Sequence, residues 1–478
     1  MLIQQEAEEV KNSHVMITKI SVDGFKSLAN FEMALNPGLN ILVGPNGTGK
    51  TNIVSFFEFL AHVIESDPAE ATSFFGGAGA ILRRVKDTHQ PTITARAIGS
   101  CPFQSIGHGL ATSKAEKITQ FVFYDYGFVL TYLGALEPVV FAKQHLKIKI
   151  VKEFIPHGQI DGELKDWDFE VEMVLNTQEM KPTVRVKTFT TKMRGYMPVF
   201  PQQIKDAEMT KQLEVFFGNF FSVDTSLPAV LSRFSPNMRA LAGDIAGGQA
   251  YNIIPSRVRM PEDSAKPPGI ASDGSGLATT LYFLNRRMPT NPNHNLFKVF
   301  SPGRQQGLKT PSMETLTNYF QLANSSIKKV VVDLDTFSNQ IRVSFEVING
   351  EYTAQIPLSL MSDGTLKWIT LLTAALTAPS VFSIEEPENY LHPNMQAKCV
   401  NFLRDILFQE NKFSCILMTT HSETLLNNCQ PNELIIVVLK DGQTIAYRCL
   451  NEAEISDEIS KTGFGLGYYY LNNALQDE

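Results

Sequence analysis

Residues 44–51 constrain the fold of this chain more than any other segment, because they form a complete phosphate-binding loop. The segment Gly-Pro-Asn-Gly-Thr-Gly-Lys-Thr matches the pattern G-x-x-x-x-G-K-[ST]. The apolar run at 39–43 predicts a buried strand before the loop, and residues 52–60 predict a helix after it. Backbone N–H groups of such a loop surround nucleotide phosphates, and the helix dipole favours the negative charge. A glycine turn that merely joins two elements would not explain the Lys50–Thr51 pair.

The residues of this loop have individual expected roles. The Lys50 ammonium brings positive charge to the β- and γ-phosphates, and the Thr51 hydroxyl is expected to ligate Mg²⁺. The expected contacts to ATP are Asn46, Gly47, Thr48, Gly49, Lys50, Thr51 and Asn52. ATP and Mg²⁺ are therefore the predicted cofactors.

Composition narrows the class of protein. The 478 residues are 43% hydrophobic and 19% charged, which is typical of globular chains of roughly two or three domains. The net charge of −7 means that binding to nucleic acid would need a local basic patch. The five cysteines lack metal-ligand spacing and indicate a reducing compartment. Neither a secretion signal nor a membrane span is evident, so we expect a cytoplasmic protein without membrane contact.

A pair of acidic residues follows an apolar run far downstream of the loop. Glu385 and Glu386 come directly after residues 381–384, which read as a buried strand. This is the pattern of a Walker B strand, whose terminal acids serve a phosphoryl-transfer site. Glu385 is expected to hold Mg²⁺ together with Thr51, and Glu386 to orient the attacking water. An acidic turn at a strand end is the alternative reading.

Two further motifs lie at the ends of predicted elements. His421 follows the apolar residues 416–418, where an imidazole can hydrogen-bond a γ-phosphate. Ser362, Asp363 and Gly364 precede an apolar helix predicted at 366–372, and such a helix start can bind an anion. Taken alone, each motif also fits an ordinary structural residue or an ordinary N-cap.

The order of these motifs resembles that of the ABC-type ATPases. The phosphate loop comes first, then a signature at 362–364, the Walker B acids at 385–386 and a switch histidine at 421. The resemblance implies that Glu386 and His421 are catalytic, and that the signature of one subunit contacts the nucleotide of another. ATP would then lie inside a homodimer, with a higher homo-oligomer left open. Gln144 is the candidate for the family's lobe-bridging glutamine, on its position alone.

Local sequence resembles the OLD-, RecF- and SMC-like branch of this family. Residues 17–28 resemble its opening strand pair, and residues 385–393, Glu-Glu-Pro-Glu-Asn-Tyr-Leu-His-Pro, resemble the OLD form. OLD nucleases continue into a Toprim domain, for which the residues after His421 are too few. The chain thus resembles the Toprim-less ATPase subunits of two-gene antiviral defence systems of the Septu or PARIS type. That resemblance implies a separate nuclease effector as partner. A RecF- or SMC-like DNA clamp and an autonomous nuclease are the alternatives.

These motifs together predict an α/β fold. We expect an ABC-type P-loop ATPase head, with a mixed central sheet flanked by helices, and a large globular α+β insertion. The expected parts are an N-terminal extension at 1–14, the first half of the head at 15–150, the insertion at 151–355 and the second half at 356–478. The insertion is rich in proline and has no sustained heptads, which argues against a coiled coil. Alternation predicts strands at 92–95, 121–124 and 146–150, and apolar spacing predicts helices at 202–221 and 277–287.

Basic residues offer candidate contacts to DNA or RNA. They are Arg83, Arg84, Lys86, Lys143, Lys147, Lys149, Lys152, Arg257 and Arg259. Lys147 and Lys149 alternate on one face of a predicted strand, where they could face a phosphate backbone, although a solvated strand face is the favoured reading. Asp333 and Asp335 form an Asp-x-Asp pair, which we expect to lie in a turn at a strand end rather than to bind metal.

Overall fold

The computed structural model of the chain describes residues 16–104, 119–134, 138–151, 166–197, 206–286, 311–322, 324–378, 381–409, 415–448 and 452–472. The expected N-terminal extension and Lys152 lie outside the described residues. The strands are β1 (Met16–Asp23), β2 (Phe31–Ala34), β3 (Gly38–Val43), β4 (Arg84–Val85), β5 (Thr88–His89), β6 (Thr92–Gln104), β7 (Thr119–Tyr132), β8 (Val139–Val151), β9 (Phe169–Asn176), β10 (Lys181–Phe189), β11 (Gln249–Tyr251), β12 (Glu262–Asp263), β13 (Ile327–Asp335), β14 (Gln340–Asn349), β15 (Tyr352–Pro357), β16 (Val381–Glu385), β17 (Cys415–Thr419), β18 (Leu434–Lys440) and β19 (Gln443–Arg448).

The helices follow the same chain order. They are α1 (Lys50–Glu65), α2 (Pro68–Phe74), α3 (Ala78–Ile81), α4 (Thr191–Arg194), α5 (Asp206–Gly218), α6 (Leu227–Ser232), α7 (Pro236–Ile245), α8 (Pro255–Val258), α9 (Leu277–Arg286), α10 (Met313–Phe320), α11 (Asp363–Thr377), α12 (Pro393–Gln409), α13 (Glu423–Leu426), α14 (Glu452–Thr462) and α15 (Leu466–Leu471). Short 3₁₀ turns occupy Leu358–Leu360 and Pro431–Glu433. Within the part of the chain that the structure describes, no helix is long and apolar enough to cross a membrane.

A six-stranded sheet lies at the centre of the fold, with strand order β11-β16-β17-β3-β18-β19. All neighbouring strands are parallel except β18 and β19. Glu385 at the end of β16 pairs with Thr419 at the end of β17, and Thr419 pairs with Leu42 of β3. Since parallel strands end at one edge of a sheet, the phosphate loop, the two acids and His421 are brought to the same edge.

Both faces of the central sheet are covered by apolar side chains, which is why its strands read as continuous apolar runs. Along β3, Leu42 points into one core, while Ile41 and Val43 point into the other. The phenylalanines of α1 fill the first core, and helices α11 and α12 cover the opposite face. This arrangement confirms the predicted α/β class, with a mixed sheet flanked by helices.

A second, antiparallel sheet has seven strands in the order β10-β9-β8-β7-β6-β1-β2. Its alternation of buried and exposed residues, as along β9, places one face on the first core and the other towards water. Strands β9 and β10 belong to the predicted insertion, yet they extend the sheet of the first half of the head. Strand β11, also from that region, joins the central sheet. The described residues between 151 and 355 are therefore shared among the sheets rather than folded apart from them.

A third sheet contains β12, β14, β13 and β15, and it packs with α9 and α10 on the second core. Asp335 lies at the turn between β13 and β14, as the sequence predicted. Its carboxylate accepts hydrogen bonds from the N–H groups of Phe337 and Ser338 and pairs with Arg342 at 2.6 Å. These bonds give Asp335 a role in the turn itself.

Candidate nucleotide-binding site

The phosphate loop is held in place by two glycines that no other residue could replace without movement. Gly49 caps the N-terminus of α1 with φ of 102°, a left-handed conformation that favours glycine. A Cβ on Gly49 would lie 1.9 Å from Oγ1 of Thr444, and one on Gly44 would lie 2.1 Å from the carbonyl oxygen of Val437. The loop is thus packed directly against β18 and β19.

A chain of hydrogen bonds between hydroxyl and amide groups supports the phosphate loop. Asn52 Nδ2 donates to Ser27 Oγ at 2.7 Å, and that hydroxyl lies 2.6 Å from Thr444 Oγ1. Thr444 in turn donates to the carbonyl of Thr48 at 2.9 Å. Asn52 was predicted to contact ATP, and here its amide braces the loop through Ser27. Thr444 was not singled out by the sequence, because nothing in its local context marks it.

The Lys50 side chain lies against the backbone of the phosphate loop. Its ammonium donates to the carbonyls of Gly44 at 2.7 Å and Pro45 at 2.9 Å. Burial lowers the pKa of Lys50, and the nearby Glu386 carboxylate partly offsets this effect. The ammonium is therefore held beside the loop, where it can exchange these carbonyls for phosphate oxygens.

The two acids at the end of β16 have different surroundings. Burial raises the pKa of Glu385, although a hydrogen bond from Thr51 opposes this rise. The Glu386 backbone has φ of 44°, and its N–H donates to the Thr419 carbonyl at 3.1 Å. Asn389 Nδ2 donates to the Glu386 carboxylate at 2.9 Å. The turn therefore separates the two carboxylates into two positions with different contacts.

Thr51 and Glu385 fit a bound Mg²⁺ ion. Their oxygen atoms are hard ligands of the kind that Mg²⁺ prefers, and they already contact each other. The negative charge of Glu386 further raises the pKa of the Glu385 carboxyl, so a divalent cation would relieve this repulsion. When bound, such an ion would neutralise charge on the β- and γ-phosphates.

His421 follows β17 and faces the loop. Burial and the Lys50 ammonium lower the pKa of His421, which keeps its imidazole neutral at neutral pH. Its backbone N–H donates to Glu388 Oε1 at 2.8 Å. The structure thus places His421 next to Lys50 and Glu386 in one cleft. The cleft is lined by Asn46, Gly47, Gly49, Lys50, Thr51, Asn52, Glu386, Thr419 and His421.

The predicted signature lies outside the lining of this cleft. Ser362 caps α11, and its hydroxyl accepts a hydrogen bond from the Thr365 N–H at 3.3 Å. Asp363 pairs with Arg259 at 2.6 Å, and Arg259 also donates to the Met361 carbonyl. Both Ser362 and Asp363 are exposed. Gly364 packs closely on the turn after the Walker B acids, where an added Cβ would lie 2.7 Å from the carbonyl oxygen of Tyr390.

Gln144 does not have the role suggested by its position in the sequence. Its side chain is fully buried in the seven-stranded sheet. It accepts from the Tyr126 hydroxyl at 2.9 Å and from the Leu227 N–H at 2.8 Å, and it donates to the Thr225 carbonyl at 2.9 Å. With these bonds made inside the core, Gln144 is structural, and the lobe-bridging prediction is wrong for this residue.

The predicted basic face of β8 is neutralised by acidic partners on β9. Lys143 pairs with Glu172 at 2.8 Å, and Lys147 lies 3.9 Å from Glu170. Arg257 lies 3.9 Å from Asp273. These pairs favour the reading of a solvated strand face over a surface for a phosphate backbone. Arg84 and Lys86 remain exposed on the β4–β5 hairpin.

The C-terminal helix α15 reaches the phosphate loop, which no local motif indicated. Burial raises the pKa of Tyr470, and the Gly44 N–H hydrogen-bonds its hydroxyl. The helix also packs tightly on the segment after His421, where the Gly467 N–H donates to Asn427 Oδ1 at 2.8 Å. Tyr470 is therefore a positioning residue that links the loop to the C-terminal segment.

We expect Tyr470→Phe to weaken ATP binding about fivefold, since a typical hydrogen bond contributes about 1 kcal/mol. Tyr468→Phe is the matched control, because Tyr468 lies on the same helix, is 40% exposed and stacks on Phe464. Titration of each variant with a fluorescent ATP analogue measures the effect. Equal affinities for the two variants would contradict the assigned role.

Two family models match the chain on either side of its middle region. The model described as "AAA ATPase domain" matches residues 16–92, which contain the phosphate loop. The model described as "AAA domain, putative AbiEii toxin, Type IV TA system" matches residues 280–427, which contain the signature, the two acids and His421. The chain is therefore similar to AAA-type ATPase domains in these two regions, which include the site motifs.

The chain is similar to RecF over a short segment. "DNA replication and repair protein RecF" of Erwinia tasmaniensis is 41% identical over 46 residues, which is 10% of this chain and 13% of that protein. The same protein of Streptomyces avermitilis is 44% identical over 55 residues, which is 11% of this chain and 15% of that protein. The matched segments are thus small parts of the length of both relatives.

Solved SMC head structures overlap with most of the chain, but loosely. The SMC head bound to the C-terminal winged-helix domain of ScpA has 11% identity and a TM-score of 0.41, covering 92% of this chain and 99% of that chain. The SMC head domain from Thermotoga maritima has 9% identity and a TM-score of 0.36, covering 91% and 98%.

Proposed function

We propose that the chain binds ATP and Mg²⁺ between two copies of itself and hydrolyses the nucleotide. The observation that carries this proposal is the single cleft that holds Lys50, Glu386 and His421. The contact of Thr51 with Glu385 lies beside them. A cationic loop, a separate carboxylate and a neutral imidazole at one strand edge are the parts that phosphoryl transfer to water needs.

The residues in and beside the cleft have different roles in hydrolysis. The Lys50 ammonium and the loop N–H groups bind and orient the β- and γ-phosphates. Thr51 and Glu385 would hold Mg²⁺. The Glu386 carboxylate, which Asn389 orients, accepts a hydrogen bond from the attacking water and aligns it with the γ-phosphorus. His421 hydrogen-bonds the γ-phosphate, and its backbone bond to Glu388 fixes its position.

The second copy supplies the signature. Ser362 and Asp363 are exposed at the N-terminus of α11 rather than in the lining of the cleft. The helix start offers free N–H groups to an anion. A γ-phosphate bound to the phosphate loop of another subunit would be such an anion. ATP would then be enclosed between the two copies.

The ATPase controls a separate nuclease effector, in antiviral defence of the Septu or PARIS type. The support is the resemblance of residues 385–393 to the OLD form, together with a family model whose description includes the toxin of a TA system. Closure of the dimer on ATP could control such a partner, because a partner that binds the closed state better will follow the nucleotide.

A RecF- or SMC-like clamp on DNA is the second candidate. The observation in its favour is the 41% identity to RecF over 46 residues of this chain. The clamp should bind DNA in an ATP-dependent manner without any partner protein. The defence ATPase should instead form a complex with the product of a neighbouring gene, and that product should cleave nucleic acid. Metal-dependent cleavage by this chain alone would support the autonomous nuclease and contradict the scaffold.

We expect Lys50→Ala to weaken ATP binding by about 10- to 100-fold, since hydrogen bonds to charged groups contribute about 1.5–3 kcal/mol each. Lys26→Ala tests whether any nearby cation would give the same effect. Lys26 is half-buried beside Glu58 and Glu385, outside the lining of the cleft. Isothermal titration with ATP and Mg²⁺ measures both variants. Wild-type affinity in Lys50→Ala would contradict the proposed site.

A further inference from the structure

Lys367 is a buried cation on the helix that begins at the signature. It lies on α11, its side chain is 1% exposed, and its ammonium donates to the Ile253 carbonyl at 3.2 Å. Burial lowers the pKa of Lys367 to about 8, while Cys399, Glu388 and Glu386 act in the opposite direction. A lysine in such a core is costly to bury, so its presence calls for a partner charge.

Glu388, in the turn after β16, is one of the two carboxylates whose negative charge acts on this cation. One oxygen, Oε1, accepts from the Thr420 hydroxyl at 2.9 Å and from the His421 N–H at 2.8 Å. The other oxygen, Oε2, is buried and has no hydrogen-bond partner in the structure. A buried carboxylate oxygen without a donor is unfavourable, and it can be satisfied by a small movement of a nearby cation.

We propose that Lys367 and Glu388 form a buried charge pair that transmits movement of the signature helix to His421. Glu388 is then a positioning residue for the switch histidine, and Lys367 sets the position of Glu388. This inference rests on the proposed function, because it assumes that the signature and His421 act on one nucleotide cycle. It assigns a role to two residues that do not line the cleft.

The contacts around this charge pair would transmit movement of α11 by close packing as well as by charge. Gly364, in the first turn of α11, leaves no space for a Cβ beside the Tyr390 carbonyl, two residues after Glu388. A shift of the signature towards this turn would therefore press on the segment that carries Glu388. The carboxylate in turn holds the His421 backbone through Oε1. When a phosphate contacts the signature, the Lys367 ammonium can approach Oε2 and fix the imidazole.

The test is a double-mutant cycle of ATP hydrolysis with Lys367→Met, Glu388→Gln and the double variant. We expect each single variant to bind ATP normally and to lower kcat about tenfold, with little change in KM. The double variant should be no worse than the single ones, because the pair acts as a unit. Lys398→Met is the matched control, since Lys398 is exposed on α12 and donates to a backbone carbonyl at 3.0 Å.

Lys367→Gln guards against misfolding, because the amide keeps a polar donor at this position but carries no charge. It should repeat the kcat effect of Lys367→Met with an unchanged Tm. Multiplied losses in the double variant, or wild-type kcat in both Lys367 variants, would overturn the inference while the ATPase itself stands. Absence of hydrolysis in the wild-type chain would instead contradict the proposed function.

Discussion

Glu386→Gln should bind ATP with nearly unchanged affinity and lower kcat by about 10²- to 10⁴-fold, the usual contribution of a positioned acid–base group. The amide has almost the volume of the carboxylate, and it can still contact Asn389, which donates to Glu386 at 2.9 Å. It cannot accept the proton of the attacking water. The phosphate loop, with Lys50 and Thr51, is untouched, so the nucleotide should be trapped in the closed dimer.

The measurement is single-turnover hydrolysis of labelled ATP, with the bound nucleotide identified after rapid gel filtration. Glu423→Gln is the control, because Glu423 is exposed at the start of α13 and does not line the cleft. The variant should contain unhydrolysed ATP, and the control should contain the same products as wild type. Turnover at the wild-type rate in Glu386→Gln would show that another group orients the water.

The parts of the site that sequence reasoning found are those that follow from local pattern and strand geometry. Lys50, Glu386 and His421 each lie within seven residues after an apolar run that predicts a strand, and parallel strands end at one edge. The sequence therefore predicts that these three residues lie close together, provided that the three strands are neighbours in the sheet. The strand order β16-β17-β3 supplies that neighbourhood, and the structure has it.

The parts that were missed depend on contacts between residues far apart in the chain. Thr444 supports the carbonyl of Thr48, a residue 396 positions away. Tyr470 hydrogen-bonds Gly44 from the C-terminal helix. No periodicity or motif marks either residue, because a hydroxyl on a strand or helix has many uses. Both become visible only when the packing of the last strand and helix is known.

Gln144 shows the opposite error, in which chain position suggested a function that burial excludes. A glutamine before a strand looks exposed in sequence, but here it lies within β8 with zero exposure. Its polar atoms satisfy buried groups of three other residues, which is the usual fate of a polar side chain in a core. Similarly, Lys143 looked free in sequence because its partner Glu172 lies on the next strand.

Ser362→Arg should abolish hydrolysis when assayed alone, yet regain activity when mixed with Lys50→Ala. The new side chain puts bulk and positive charge at the exposed start of α11, where the nucleotide of another subunit would approach. Lys50→Ala removes the loop cation but leaves the signature intact. In an equal mixture, half of the dimers carry one intact composite site of two, so about a quarter of the wild-type rate should return.

Ser312→Arg separates loss of a helix cap from loss of a composite site. Ser312 caps α10 as Ser362 caps α11: its hydroxyl lies 2.9 Å from Thr315, and that of Ser362 lies 2.8 Å from Thr365. Either change should cost about 1 kcal/mol of stability through the cap. Only Ser362→Arg should stop hydrolysis, because α10 is not expected to meet a nucleotide. If mixing restores nothing while labelled subunits exchange freely, each subunit must hydrolyse ATP with its own residues, and the signature then has no role in trans.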